Sequence, residues 1–299
     1  QHSELLDFLN TPDPVAVFVR AALPMEEAGP GFVYGAPGYE LQAVWREKMT
    51  NAVSAAELLS GWLPVFSLDT IAELELMLRD RIVQTHIRAG VRVLDPRAVY
   101  IDPRVTIGRG TMLLPGTILR GETAVGCGCT IGPNAMVRDC VIGDDTEINA
   151  SQVNESTIGS RTHVGPFAYV RPGCTIGDDI KVGDFVEVKN SSIGDGTKIS
   201  HLTYVGDSDV GRHVNFGCGT VTTNYDGVKK YRCTIGDRAF IGCNTNLVAP
   251  VTVGEGSYIA AGATITKDVP ADALAVARAK QENKEGWAKR RRQMYGQES

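Results

Sequence analysis

The chain has 299 residues, 43% hydrophobic and 22% charged, with a formal net charge of -5. That is the balance of a soluble globular protein with room for one large or two ordinary domains, and it gives no overall electrostatic case for nucleic acid. The longest apolar runs fall far short of the roughly 18 to 20 residues that span a bilayer, no charged-then-apolar leader opens the chain, and the 33 glycines call for repeated tight turns.

Residues 1–66 hold little pattern. Leu5, Leu6, Phe8 and Leu9 predict a short helix ending near Pro12. The glycines and prolines of 24–38 predict loop, and Leu41, Val44, Trp45, Lys48 and Met49 predict a helix within 39–59. The region reads as small, mostly α-helical and without a chemical role of its own. Over 67–91, Leu68, Ile71, Leu74, Leu78 and Ile82 recur at helical spacing, with Asp69, Glu73, Arg79 and Asp80 on the other face. This predicts a connecting helix that packs its apolar stripe on the next domain and stops near Gly90.

From Ile101 the period becomes six. Ile101, Ile107, Leu113, Leu119, Val125, Ile131 and Val137 open a ladder that slips by one residue and runs on through Ile142, Ile148, Ile158, Val164, Val170, Ile176, Val182 and Val188. It continues through Ile193, Ile199, Val205, Val210 and Phe216, and after a gap through Ile235, Ile241, Leu247, Val253, Ile259 and Ile265. One aliphatic per six residues is one inward plug per short strand. Three such strands close a triangular coil, and stacked coils supply the core that one coil lacks. The fold class is therefore mainly β, a parallel β-helix of hexapeptide repeats over 92–270.

Between Phe216 and Ile235, Thr222 fits a plug position, but Asn224 to Cys233 offers no aliphatic in register. A loop centred on Asn224-Tyr225-Asp226-Gly227 must leave the coil, and long loops on rigid scaffolds are commonly functional. Residues 271–299 form a basic tail with Lys280, Lys284, Lys289, Arg290, Arg291 and Arg292. The seven cysteines are odd in number and scattered, which argues against a disulfide framework and for a reducing cytoplasm. Cys127 and Cys129 have no second pair at zinc-ligand spacing, so they read as two packed thiols and no metal is expected.

A hexapeptide coil needs only plugs and small turn residues, so His201, Tyr204, Asn215, Asn224 and Tyr225 are not explained by folding. An imidazole titrates near neutrality, which makes His201 the candidate general base. Arg171 and Lys189, in GPFAYVRPG and GDFVEVKN, are cations suited to a phosphate. Cys218 and Cys243 lie near the expected cleft, which leaves a covalent cysteine route as the alternative to direct transfer.

The stretches GPFAYVRPG, GDFVEVK, SHLTYVGD, VNFGCGTVTTNYDG, LVAPVTVG and KEGW carry a resemblance that runs from about residue 69 to 287. Over that span the chain resembles the acetyltransferase half of the bacterial bifunctional N-acetylglucosamine-1-phosphate uridyltransferase/glucosamine-1-phosphate acetyltransferase. The resemblance implies a left-handed coil sense and direct attack of the glucosamine 1-phosphate amine on acetyl-CoA, with His201 as base. It implies that Arg171, Lys189 and Lys230 hold the sugar phosphate, that Tyr204 and Asn215 contact the sugar beside Glu187, and that Asn224 and Tyr225 orient the amine and the acetyl group. Cys218, Cys243, Ala261, Arg278 and Lys284 would lie along coenzyme A. It also implies a cytoplasmic homotrimer with sites shared between subunits, supplying UDP-N-acetylglucosamine for cell-wall synthesis.

Two departures qualify it. Cys243 stands where the family often has serine, and nothing upstream matches the nucleotidyltransferase opening L-x-x-G-x-G-T, with PVFSLDT standing where the family has G-V-N-x-R. Uridyl transfer is therefore not expected of this chain alone. The alternatives are an acetyltransferase for another amino sugar or sugar nucleotide, and a non-catalytic trimeric relative acting as a scaffold.

Overall fold

The computed structural model describes the backbone of residues 16–21, 39–44, 62–65 and 68–296, and side chains from 75 onward apart from residue 77. In the first part, Ala16–Ala21 lies between Tyr39–Val44 and Trp62–Val65 in a three-stranded antiparallel sheet. This corrects one expectation: Tyr39–Val44 is strand, not the start of a helix. Tyr39, Leu41 and Ala43 alternate with Glu40 and Gln42, a period of two that outweighs the coincidental helical spacing of Leu41 and Val44. The helix expected at 5–9, and the remainder of the one expected within 39–59, fall outside the described residues.

The helix Leu68–Arg88 forms as its periodicity predicts. Leu78 and Val83 are buried, and Ile82 and Ile87 pack against the same core as the first coil. Beyond it the chain winds through three parallel sheets of 11, 10 and 9 strands, each sheet one face of the coil. Plug meets plug from coil to coil, as in Ile131 with Ile148, Val170 with Val188 and Ile176 with Ile193. Val153, a plug hidden by the slip in the ladder, pairs with Val137 and is fully buried.

Two residues before each plug stands a second inward position, filled by an aliphatic in some coils, as Ile180, Val186, Val214 and Val251 show, and by a compact side chain in most others. Thr111, Cys129, Ala135, Cys140, Thr146, Ala168, Cys174, Thr197 and Cys233 all occupy it and are buried. Each threonine there returns its hydroxyl to a carbonyl, as Thr117 does to Leu114 at 2.7 Å, so no polar group is stranded. Burial pushes the Cys140 and Cys233 thiols up to about 11 and raises those of Cys129 and Cys174. These four cysteines are packing residues. Cys127, expected to be packed like Cys129, is exposed.

The interrupted coil is where the ladder spacing changes. Ile193 pairs with Val210, but Val210 pairs with Ile235, so the chain between them is longer than in any regular coil. Thr222 is buried in the plug position. The repeat also outlasts its expected end at Pro270, since Leu274–Ala275 adds a last strand beside Tyr258–Ile259. A short helix, Trp287–Met294, follows on the basic tail.

Candidate active site

Residues one coil apart stack in a parallel ladder, so a coil corner becomes a column of side chains along the solenoid. The corner joining the 11-strand and 10-strand sheets carries Asp184, His201, Cys218, Cys243 and Ala261 in successive coils. Asp184 and His201 are ladder partners. Below them the register is kept by Gly219 donating to the Leu202 carbonyl, Asn244 to that of Cys218 and Gly262 to that of Cys243.

The His201 ring faces Asp184 with Nδ1 2.6 Å from Oδ1. A carboxylate there accepts the Nδ1 proton and leaves the Nε2 lone pair free, which is the tautomer a general base requires. The ring hydrogen bond in turn holds the Asp184 carboxyl below the usual carboxylate range. Beside this pair the corner is apolar: Phe167, Phe185 and Leu202 are all more than half exposed, with the two phenyl rings stacked at 5.5 Å. All three hold positive φ, a conformation that bulky side chains avoid.

The 10-strand sheet leads from that corner to the next. Tyr169, Glu187 and Tyr204 stack outward in one ladder column, and Arg171 donates from Nη1 to Glu187 Oε1 at 2.8 Å. Gly206 explains how Tyr204 lies. A Cβ on Gly206 would sit 2.2 Å from the Tyr204 hydroxyl, so the phenol crosses the space that only a glycine leaves.

At the far corner sits Asp207, 4% exposed. Its carboxylate accepts from Asn190 Nδ2 at 2.6 Å and from Asn224 Nδ2, and Lys189 Nζ lies 3.6 Å away. Burial by itself would push this carboxyl up. The bonds from Asn190 and Asn224 and the charges of Lys189 and Lys230 outweigh burial and hold it below its ordinary value. Lys230 stands beside Lys189, whose proximity, with that of Arg171, pulls the Lys230 amine down. The Lys189 amine is raised by the neighbouring Lys230 and by the Asp207 carboxylate. Three cations converging on one face suit a dianionic group such as a phosphate.

The extruded loop leaves from this corner. Asp226 Oδ1 accepts from the Val228 and Lys229 amides at 2.7 Å, which makes the turn, and Tyr225 bridges back to Lys230. Arg232 then ties the loop to the coil with two bonds to Asp209 and one to the Asn190 carbonyl.

Of the residues singled out by sequence, Arg171, Glu187, Lys189, Tyr204, Asn224 and Lys230 come together on this face. His201 stands at its other edge, above Cys218, Cys243 and Ala261. Arg278 reaches the foot of that column, its Cδ 3.7 Å from where a Cβ on Gly262 would be. Asn215 lies on the neighbouring sheet, paired with Lys198 and Phe240. Tyr225 turns its hydroxyl to the Gly227 carbonyl, and Lys284 sits in the exposed tail, so these three stand apart from the rest within one chain. Asp184, Asn190, Gly206, Asp207 and Arg232 were not singled out by sequence. Counting one coil back from His201 would have found Asp184; Asp207 and Gly206 are concealed among the small residues every corner uses.

Two family models match the chain: the GMPPB C-terminal domain over residues 95–184 and the bacterial transferase hexapeptide (six repeats) over 232–267. The chain is 52% identical over 220 residues to the bifunctional protein GlmU of Geobacillus sp. (strain WCH70), covering 74% of this chain and 48% of that protein. It is 54% identical over 217 residues to the GlmU protein of Clostridium beijerinckii, at 73% and 48% coverage. The GlmU protein of Alkaliphilus metalliredigens is 45% identical over 251 residues, at 84% and 55%. The chain thus spans about half the length of the curated relatives it matches.

Proposed function

We infer, for a solenoid that carries the bacterial transferase hexapeptide and is homologous to the acetyltransferase half of bifunctional GlmU proteins, that this protein transfers the acetyl group of acetyl-CoA to the amine of glucosamine 1-phosphate. The observation that carries the reading is the His201–Asp184 pair at one edge of a face whose other edge gathers Arg171, Lys189 and Lys230. A proton acceptor and a phosphate cradle on one short strand face fit a small amino-sugar phosphate. The coenzyme fits the column below, where Cys218, Cys243 and Ala261 keep the corner narrow and Arg278 waits at its foot for an anionic end. Acetyl-CoA, when bound, supplies the thioester.

His201 Nε2 takes the proton of the acceptor amine as its nitrogen forms a bond to the acetyl carbon, and the carbon–sulfur bond breaks to release the coenzyme thiol. Asp184 holds the other ring nitrogen and offsets the imidazolium charge. Asn224 has a narrower role than an oxyanion donor. Its Nδ2 is committed to Asp207 and to the Tyr204 hydroxyl, so its free carbonyl oxygen is what can accept from the amine and aim the lone pair. No metal takes part in these steps, and uridyl transfer forms no part of the reading.

The site is proposed to be completed in a homotrimer. Asn215, Tyr225 and Lys284 stand apart from the other site residues within one chain, and the apolar corner of Phe167, Phe185 and Leu202 offers a face for a second copy. The proposed setting is the cytoplasm; among the described residues no helix is long and apolar enough to cross a membrane. Thiol release from acetyl-CoA with glucosamine 1-phosphate, beside a panel of other amino sugars and sugar nucleotides, tests the reading. Turnover fastest with glucosamine 1-phosphate is expected. Faster turnover of another acceptor would move the assignment to that acceptor, and no turnover with any would leave the scaffold alternative.

A further inference from the structure

Cys218 and Cys243 differ from the other cysteines in a way neither the fold nor the transfer chemistry requires. Four of the seven are buried in the compact inward position, and Cys127 is exposed without a neighbouring accessible thiol. Cys243 is exposed and Cys218 half-buried, and they are consecutive members of one column. Phe216 pairs with Ile241, and Asn244 donates to the Cys218 carbonyl at 2.8 Å, so the register runs unbroken through both cysteines. The residues after them, Gly219 and Asn244, share the same left-handed turn conformation, and the in-register parallel stacking places both side chains on the same side of the coil. Adjacent strands lie about 4.8 Å apart, inside the roughly 4.4–6.8 Å Cα window of a disulfide.

We propose that Cys218 and Cys243 form an oxidisable dithiol that closes to a disulfide between adjacent coils and disables the coenzyme column. The oxidant is a peroxide. The thiolate of the more exposed Cys243 attacks the peroxide oxygen, giving a sulfenic acid and water. The Cys218 thiolate then displaces hydroxide from that sulfur, so one peroxide and two thiols become one disulfide and two waters. A dithiol reductant reverses the step by exchange. The bridge would lie directly below His201, between the base and the Arg278 end of the column, in the space assigned to the acetyl–thiol end of the coenzyme. Its consequence, though not its chemistry, rests on the transfer reading.

The test separates the two. Reduced protein is treated with hydrogen peroxide, digested with trypsin without reductant and examined by mass spectrometry. Cleavage after Arg212, Lys229, Arg238 and Lys267 puts each cysteine alone in its peptide. The expected result is peptide 213–229 joined to 239–267, with the KM for acetyl-CoA raised roughly tenfold, the KM for the sugar phosphate unchanged, and both linkage and inhibition reversed by dithiothreitol. Cys218→Ser and Cys243→Ser, each compared with its own reduced form, should lose the linkage and the peroxide response; Cys127→Ser should keep both. Recovery of the two peptides only as separate sulfinic or sulfonic acids would overturn the proposal. So would equal peroxide inhibition in Cys218→Ser, or a linkage that leaves acetyl-CoA kinetics unchanged. If reduced wild-type protein shows no acetyl transfer at all, the transfer reading fails while the linkage is still decided by mass.

Discussion

The two corners that bound the proposed sugar face each hold a carboxylate below its ordinary pKa, and they do so by opposite means. Asp184 lies near the surface against His201, its side chain 39% exposed. Asp207 is almost wholly buried, and its charge is held by Asn190, Asn224 and Lys189 together. An accessible pair can exchange a proton with a bound reactant. A buried anion whose lone pairs are already engaged is suited to fixing the groups around it. Under the proposed function the same chemical group would serve turnover at one corner and geometry at the other, and substitutions should split along that line.

The largest effect is expected at the exposed corner. His201→Ala should lower kcat by about 10²- to 10⁴-fold, the usual loss of a general base, with an unchanged thermal midpoint and little change in either KM. At the buried corner Asp207→Ala should instead cost stability, about 3 kcal/mol by urea titration. It strands the Lys189 ammonium and the Asn190 carboxamide and leaves Asn224 only its 3.4 Å bond to the Tyr204 hydroxyl, and Lys189's partial exposure places the loss at the lower end of that class. An Asp207→Ala protein as stable as wild type would break the comparison.

Asp184→Asn should fall between. The amide can turn its NH2 to His201 Nδ1, which places the proton on the wrong ring nitrogen, so kcat should drop about 10- to 100-fold while stability is kept. The two carboxylates also separate in acid. Because the folded pKa of Asp207 is depressed, its stabilisation is complete above the unfolded value of about 3.9. It is lost as pH falls through the lower folded value. Urea midpoints measured from pH 6 to pH 2 should therefore fall in wild type below about pH 4, and less steeply in Asp207→Asn. Equal slopes would sink the assignment.

The coils were legible because their signal is repeated: a plug every six residues and small residues at the turns state the same rule again and again. The loop was legible as the longest break in the rule. His201, Tyr204 and Asn224 stood out because a coil has no use for them. Asp184 and Asp207 did not, since aspartate is also an ordinary corner residue here; Asp139, Asp145 and Asp179 take left-handed turns just as Asp207 does. Their function lies in what stacks above and below them, which depends on a coil length that varies from one turn to the next. The strand at 39–44 was misread for a related reason. Six residues are too few for one periodicity to exclude another, and the left-handed coil sense came from resemblance, because spacing alone carries no hand.

Gly206 gives the smallest and most discriminating test of the face between the corners. Gly206→Ala adds one methyl at a position whose Cβ would meet the Tyr204 hydroxyl at 2.2 Å. The phenol must swing away, and its contact with Asn224 goes with it. The backbone does not share the strain, because Gly206 is not among the positive-φ residues. The fold should therefore lose no more than about 1 kcal/mol. The KM for the sugar phosphate should rise several-fold, while that for acetyl-CoA should stay. Tyr204→Phe makes the reciprocal change, removing the hydroxyl and leaving the ring, and should reproduce the KM effect if the Tyr204–Asn224 contact is what positions the sugar. If Gly206→Ala raises KM and Tyr204→Phe does not, the ring's bulk rather than its hydroxyl shapes the pocket. The hydrogen bond to Asn224 would then be only a consequence of where the ring lies.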